Sequence, residues 1–191
     1  MSRGRAVTSA VDLDRRARFE ALFREVYEPL QTYARRRTDR ASADDVVAEA
    51  LLVLWRRLDQ VPPELALPWS YGVARRCLAN QRRGKHRRDA LSDRLMAERP
   101  DVAGLDAVPG LEHDDELEAA LADLAADDRE ILRLWAWEQL QPKEIAVVLD
   151  ISPNAAAIRV HRSKQRLGEA MQRKSAARGG HTSVGHAKEA P

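Results

Sequence analysis

The stretch Leu140–Leu167, LQPKEIAVVLDISPNAAAIRVHRSKQRL, decides the fold. Pro142 stands where a helix begins, since a first helical residue needs no amide donor, and Glu144 suits the same turn. Ile145, Ala146, Val148 and Leu149 make a short apolar helix, and Asp150-Ile151 is the turn. Ser152-Pro153 then supplies an N-cap and a first-position proline for a second helix. In that helix Ala156, Val160, Ser163 and Leu167 share the inner face, while Asn154, Ile158, His161, Arg162 and Gln165 point away from it. Short helix, tight turn and polar second helix is the arrangement that lays a recognition helix in the major groove. Arg162 or Gln165 suits base edges, and Arg159, Lys164 and Arg166 suit phosphate. The competing reading is an αα-hairpin with a solvated basic face.

Upstream, Pro68–Arg88 reads PWSYGVARRCLANQRRGKHRR and carries seven arginines and lysines with no acid. At helical spacing Trp69, Arg76, Asn80 and Arg83 form one stripe and Tyr71, Ala74 and Leu78 the opposite, apolar one. Aromatic plus arginine suits opened DNA, where cations meet phosphate and a ring stacks on bases. Taken alone, this segment reads equally as a solvated basic face.

The rest is helical in pattern. Phe19, Leu22, Phe23, Val26, Leu30 and Tyr33 predict a first amphipathic helix that ends at Arg35, Arg36 and Arg37. Ser42–Asp45 resembles a capping box for a second helix over Ala43–Leu58, with Val46, Val47, Ala50, Leu51, Leu54 and Leu58 inward. Pro62, Pro63 and Pro68 predict a loop up to Trp69, and the basic helix is expected to end near Gly84. Residues 89–114 read as an acidic linker, with one helical turn at Ala90–Ala97. A further unit starts near Asp115 with Leu117, Leu121 and Leu124 inward, and Asp127–Glu130 caps the helix carrying Ile131, Leu132, Leu134 and Trp135. The expected fold is all-α: two small helical domains, 15–88 and 115–173, a flexible acidic linker at 89–114 and a disordered tail at 174–191.

Composition narrows the function. The 191 residues are 32% charged yet carry a net charge of only +2, because acids gather in 101–130 and bases in 75–88 and 159–174. Such segregation points to a polyanion partner for the basic parts. A single cysteine, Cys77, excludes disulfide frameworks and thiolate metal clusters, and the histidines show no ligand spacing. No cofactor, metal or catalytic constellation is expected, so the chain does not read as an enzyme. With no long apolar run and no apolar leader, it is expected to be soluble, cytoplasmic and not inserted in membranes.

In this order and spacing the motifs resemble the extracytoplasmic-function sigma factors, the two-domain group of the sigma-70 family, over about Phe19–Met171. Ala43–Trp55 is similar to the family's second-region helix, Trp69–Arg83 to the helix that melts the −10 element, and Asp123–Leu132 with Glu144–Leu167 to the domain that reads the −35 element. The resemblance implies polymerase docking by Asp44, Asp45, Glu49, Leu54 and Trp55. It implies −10 contacts by Trp69, Arg76, Asn80 and Arg83, and −35 contacts by Asn154, Ile158, Arg159, His161, Arg162, Lys164 and Gln165. Asp59–Leu67 matches a loop that receives a flipped base, a step costing a few kcal/mol offset by stacking. Core RNA polymerase, promoter DNA and an anti-sigma factor are the implied partners; catalysis would belong to the polymerase. Ala48 stands where glutamine is frequent, Arg76 and Asn80 where asparagine and aspartate are, and Ala155 and Ile158 where threonine and serine are. Two other classes remain: a DNA-binding regulator that replaces no polymerase subunit, which leaves the Trp69 helix unexplained, and a helical adaptor or nucleic-acid enzyme.

Overall fold

In the computed structural model, residues 3–93 and 115–179 are described, and among them the regular structure is entirely helical. Seven α-helices, Arg3–Arg35 (α1), Arg40–Arg56 (α2), Ala66–Asp93 (α3), Asp115–Ala122 (α4), Ala126–Ala136 (α5), Pro142–Leu149 (α6) and Pro153–Gly179 (α7), are accompanied by 3-10 turns at Leu58–Gln60 and Pro63–Leu65. They fall into two compact units, one built on α1–α3 and the other on α4, α5 and α7.

In the first unit all three helices pack on one another. Leu22, Val26, Leu30, Tyr33 and Ala34 form the buried stripe of α1, spaced by threes and fours as an amphipathic helix requires. Tyr33 stacks on Tyr71 of α3 with ring centroids 4.9 Å apart. The α1 helix starts well before Phe19, and its end at the arginines agrees with the expectation. The α2 helix starts earlier too: its cap is Asp39, whose carboxylate accepts from the Ser42 amide at 3.0 Å. The capping box expected at Ser42–Asp45 is therefore displaced by one turn, because Asp39 reaches the orphan amide first. The helix stops at Arg56, and Leu58 is buried from the following 3-10 turn rather than from α2.

The proline-rich connection is shorter than expected. The α3 helix begins at Ala66, with Pro68 inside its first turn, where amides have no intrahelical partner and a missing donor costs nothing. It also runs past Gly84 to Asp93. Gly84 has open space around its Cβ position and no left-handed φ, so nothing there terminates a helix. Residues 89–93, expected in the linker, are thus helical. Residues 94–114, the remainder of the expected acidic linker, lie outside the described residues.

In the second unit α4 and α5 both pack on α7. Ala120 and Leu124 are buried, whereas Leu117 is 37% exposed instead of inward. The cap of α5 is Ala125, which makes no side-chain bond. Asp127 and Asp128 sit in the first turn without capping it, Asp128 being turned inward to α7. The start of α6 matches its sequence: the Gln141 amide donates to Glu144 Oε2 at 2.7 Å. The turn that follows places Asp150 at φ 56°, a left-handed conformation that aspartate tolerates better than most residues, and Ser152 Oγ accepts from the Ala155 amide at 3.2 Å. The α7 helix continues through Gly179, so 174–179 are helical and not part of a disordered tail. Ala170 is fully buried and Lys174 pairs with Asp123 at 3.0 Å, so packing extends to the second half of α7. Residues 180–191 lie outside the described residues.

Candidate nucleic-acid and protein interfaces

On α3 the two stripes separate as their spacing predicts. Tyr71, Ala74 and Leu78 are buried. Arg76, Asn80 and Arg83 are exposed and Trp69 is half-buried, so the aromatic ring heads an accessible line of polar and cationic groups. Arg83 donates to the side-chain Oδ1 of Asn80, linking two members of the line. Arg82, one residue off it, donates to the Arg37 carbonyl at 2.9 Å, and Gln81 Nε2 to that of Ser42 at 3.4 Å. These bonds bring the α1–α2 turn against the middle of α3. Arg37 itself lies over the Tyr33 ring at 3.6 Å and donates to the Tyr33 carbonyl at 3.0 Å. The sequence reading missed this join, because the two segments are far apart in the chain and no local motif marks it.

The α2 helix divides its residues differently from the expectation. Asp44, Asp45 and Glu49 are exposed, and since Asp39 does the capping, the two aspartates carry no structural duty there. Leu54 is 0% exposed: it belongs to the core and cannot anchor a partner without unfolding the unit. The accessible apolar side chain of this face is Leu52, 55% exposed, one helical turn from Glu49. Its exposure was legible in principle, since position 52 continues the 45–48–49 stripe. Trp55 is half-buried. The Phe19 ring meets it edge-on at 5.1 Å, the Arg15 guanidinium lies 5.0 Å from its centroid, and Arg15 donates to its carbonyl at 2.8 Å. Arg15 and Arg18 also pair with Asp59 at 3.5 and 3.0 Å, which ties the start of the 59–67 segment to α1.

On α7 Asn154, Ile158, Arg159, His161, Arg162, Lys164 and Gln165 are all exposed, while Ala156, Val160 and Ser163 are buried. Ile158, at 44% exposed, is an apolar group within a polar face, suited to a thymine methyl. Two of the expected phosphate ligands have protein partners. The Lys164 ammonium sits 3.3 Å from the Trp135 ring centroid, and Arg166 pairs with Asp128.

Electrostatic shifts mark few groups. Burial, then the nearby charge of Glu49, pushes the Cys77 thiol up to about 11, so it stays protonated and unreactive. The Ser42 amide holds the Asp39 carboxyl below its ordinary value. At Asp128 burial acts upward, but hydrogen bonds from Ser163 and Arg166 and the Arg166 charge outweigh it and the net direction is down. Among the described residues no group of histidine, cysteine and carboxylate side chains is placed to hold a metal, and no helix is long and apolar enough to cross a membrane.

Two family models match the chain: Sigma-70 region 2 over residues 22–88 and Sigma-70, region 4 over residues 114–167. The ECF RNA polymerase sigma factor SigL of Mycobacterium tuberculosis (strain ATCC 25618 / H37Rv) is 30% identical over 149 residues, covering 76% of this chain and 84% of that protein. The probable RNA polymerase sigma factor RfaY of Xanthomonas campestris pv. campestris is 33% identical over 134 residues, 66% of this chain and 33% of the relative. Among solved structures, the sigma factor RpoE of Bartonella quintana, in complex with the anti-sigma factor NepR, aligns with a TM-score of 0.59 at 23% identity, covering 81% of this chain and 96% of that one. CnrH in complex with the cytosolic domain of CnrY gives 0.53 at 20% identity, covering 81% and 87%. At such identities these two structures speak for the fold.

Proposed function

Since the chain belongs to the extracytoplasmic-function sigma factors, regulatory DNA-binding subunits of RNA polymerase, we propose how its two units divide the work of starting transcription. Asp44, Asp45 and Glu49 of α2 steer the first unit to a basic surface of core polymerase, and Leu52 with Trp55 supplies the apolar anchor. Leu54, fully buried, takes no part in that anchor. Trp69, Arg76, Asn80 and Arg83 hold the opened non-template strand of the −10 element, the ring stacking and the guanidinium groups meeting phosphate. The segment 59–67, tied to α1 through Asp59, takes up a base flipped from that strand.

The second unit anchors upstream. Asn154, Ile158, His161, Arg162 and Gln165 read the −35 element, and Arg159 and Lys164 bind its phosphates. The acidic segment between the units mimics nucleic acid in the polymerase's basic channel until RNA displaces it. By analogy with the relatives solved in complex with anti-sigma factors, an anti-sigma protein holds this chain inactive by covering polymerase-binding surfaces. The protein works in the cytoplasm, where the polymerase is, and the polymerase supplies the catalysis. In domain terms, 15–88 act at the polymerase and the −10 element, and 115–173 at the −35 element.

The observation that carries this reading is the line of exposed Arg76, Asn80 and Arg83, headed by half-buried Trp69, on a helix whose opposite face is buried. A plain DNA-binding regulator has no use for such a line. The test is transcription from duplex genomic fragments by core polymerase with and without the chain, together with footprinting of the holoenzyme. Promoter-specific transcripts with protection around both elements support it. Tight DNA binding by the chain alone, with no effect on core polymerase, would overturn it.

A further inference from the structure

One face of α5 grips the helix that meets DNA. Asp128 and Trp135, seven residues apart, share that face. Asp128 accepts from Ser163 Oγ at 2.6 Å with one carboxylate oxygen and from the Arg166 guanidinium with the other. Ser163 and Arg166 are three residues apart on α7, so one carboxylate bridges the buried side and the flank of that helix. Trp135 meets Lys164 between them. Asp128 is only 9% exposed, whereas the Arg166 side chain is 56% exposed. Against burial, the hydrogen bonds from Ser163 and Arg166 and the Arg166 charge hold the carboxyl below its ordinary value.

The position of Arg166 makes this pairing informative. Arg159, Arg162 and Arg166 recur at three and seven residues, so spacing alone puts them on one basic stripe. An arginine that meets only phosphate binds any duplex and carries no sequence information. Yet the third of these heads is turned to a carboxylate instead.

We propose that Asp128 is a positioning and specificity-determining residue: it withholds Arg166 from the DNA backbone and fixes the rotation of α7 through Ser163, so that less of the binding is indifferent to sequence. This rests on the assignment of α7 to the −35 element. Losing the carboxylate releases a cation beside the groove and loosens the helix, which raises binding to any duplex and lowers discrimination.

The test uses holoenzyme, assembled from core polymerase and the full chain, on two labelled duplexes without a −10 element. One carries the −35 element found by footprinting and the other its scrambled version, each titrated across a potassium chloride series. With Asp128→Asn, the log–log salt slope on the scrambled duplex steepens by about 0.9, the value of one added phosphate contact, and the ratio of affinities between the two duplexes falls. With Arg166→Gln, the slope stays at the wild-type value. A slope that flattens by about 0.9 with Arg166→Gln means that Arg166 already contacts phosphate, and overturns the proposal. An unchanged slope in a folded Asp128→Asn protein overturns it as well. Where Asp128→Asn does not fold, the Arg166→Gln result decides. Arg159→Gln is the control for the underlying assignment: a slope that it leaves untouched removes α7 from the DNA, a failure distinct from that of the Asp128 clamp.

Discussion

Leu52 and Leu54 are two residues apart on α2, and the difference in their surroundings sets opposite expectations. Leu54 is fully buried, so Leu54→Ala leaves a cavity and costs about 2–5 kcal/mol. Leu52 is 55% exposed, so Leu52→Ala changes stability by no more than about 0.5 kcal/mol while weakening binding to core polymerase. Urea unfolding and a polymerase pull-down measure the two effects separately; equal loss of stability in both variants would remove Leu52 from the interface. Asp39 gives an expectation for pH. Its carboxyl is held below the ordinary 3.8 by the Ser42 amide, so its stabilisation is present above that value and is lost as the pH falls below it. Asp39→Ala therefore costs about 1 kcal/mol near neutral pH, and its unfolding free energy converges with that of the parent in acid. Convergence in alkali instead would show that another group is responsible.

At the scale of the element, boundaries moved while identities held. The helix-turn-helix was legible from Pro142, Asp150 and Ser152-Pro153 because its caps are local and each residue acts on its own turn. The basic helix was legible in its faces but not in its ends. Pro68 and Gly84 are breakers by propensity, yet one sits in the first turn and the other has no left-handed φ to impose. The missed extension of α7 has the opposite cause: Lys174, where it starts, pairs with Asp123 of the α4–α5 turn, a contact that no local pattern encodes. Among the site residues, Leu54 was misplaced because one apolar position on a helix resembles the next unless its stripe is followed to the end. Gly84 supplies the check at this scale. Because open space surrounds its Cβ position in mid-helix, Gly84→Ala raises stability by about 0.5–1 kcal/mol in thermal or urea unfolding. A destabilised variant would mean that the helix breaks at Gly84 after all.

For the whole molecule, the two units give separable defects. Trp69→Ala removes a stacking platform worth about 1–3 kcal/mol per base without touching α7. The expected holoenzyme still protects the upstream element but opens the −10 region poorly, seen as weak permanganate reactivity of unpaired thymines. Loss of upstream protection as well would place Trp69 in the fold and not at the strand. The chain's four tryptophans, Trp55, Trp69, Trp135 and Trp137, have one further consequence. Trp55 lies beneath Arg15, Trp135 against Lys164, Trp137 beside Arg133, and Trp69 on the line offered to the opened strand. Each proposed contact thus has an indole within or beside it: Trp55 at the polymerase, Trp69 at the melted strand and Trp135 at the recognition helix. With the other indoles replaced by phenylalanine, a single remaining tryptophan turns the molecule into its own fluorophore, and the order in which docking, reading and opening occur becomes a sequence of emission changes timed without any attached label.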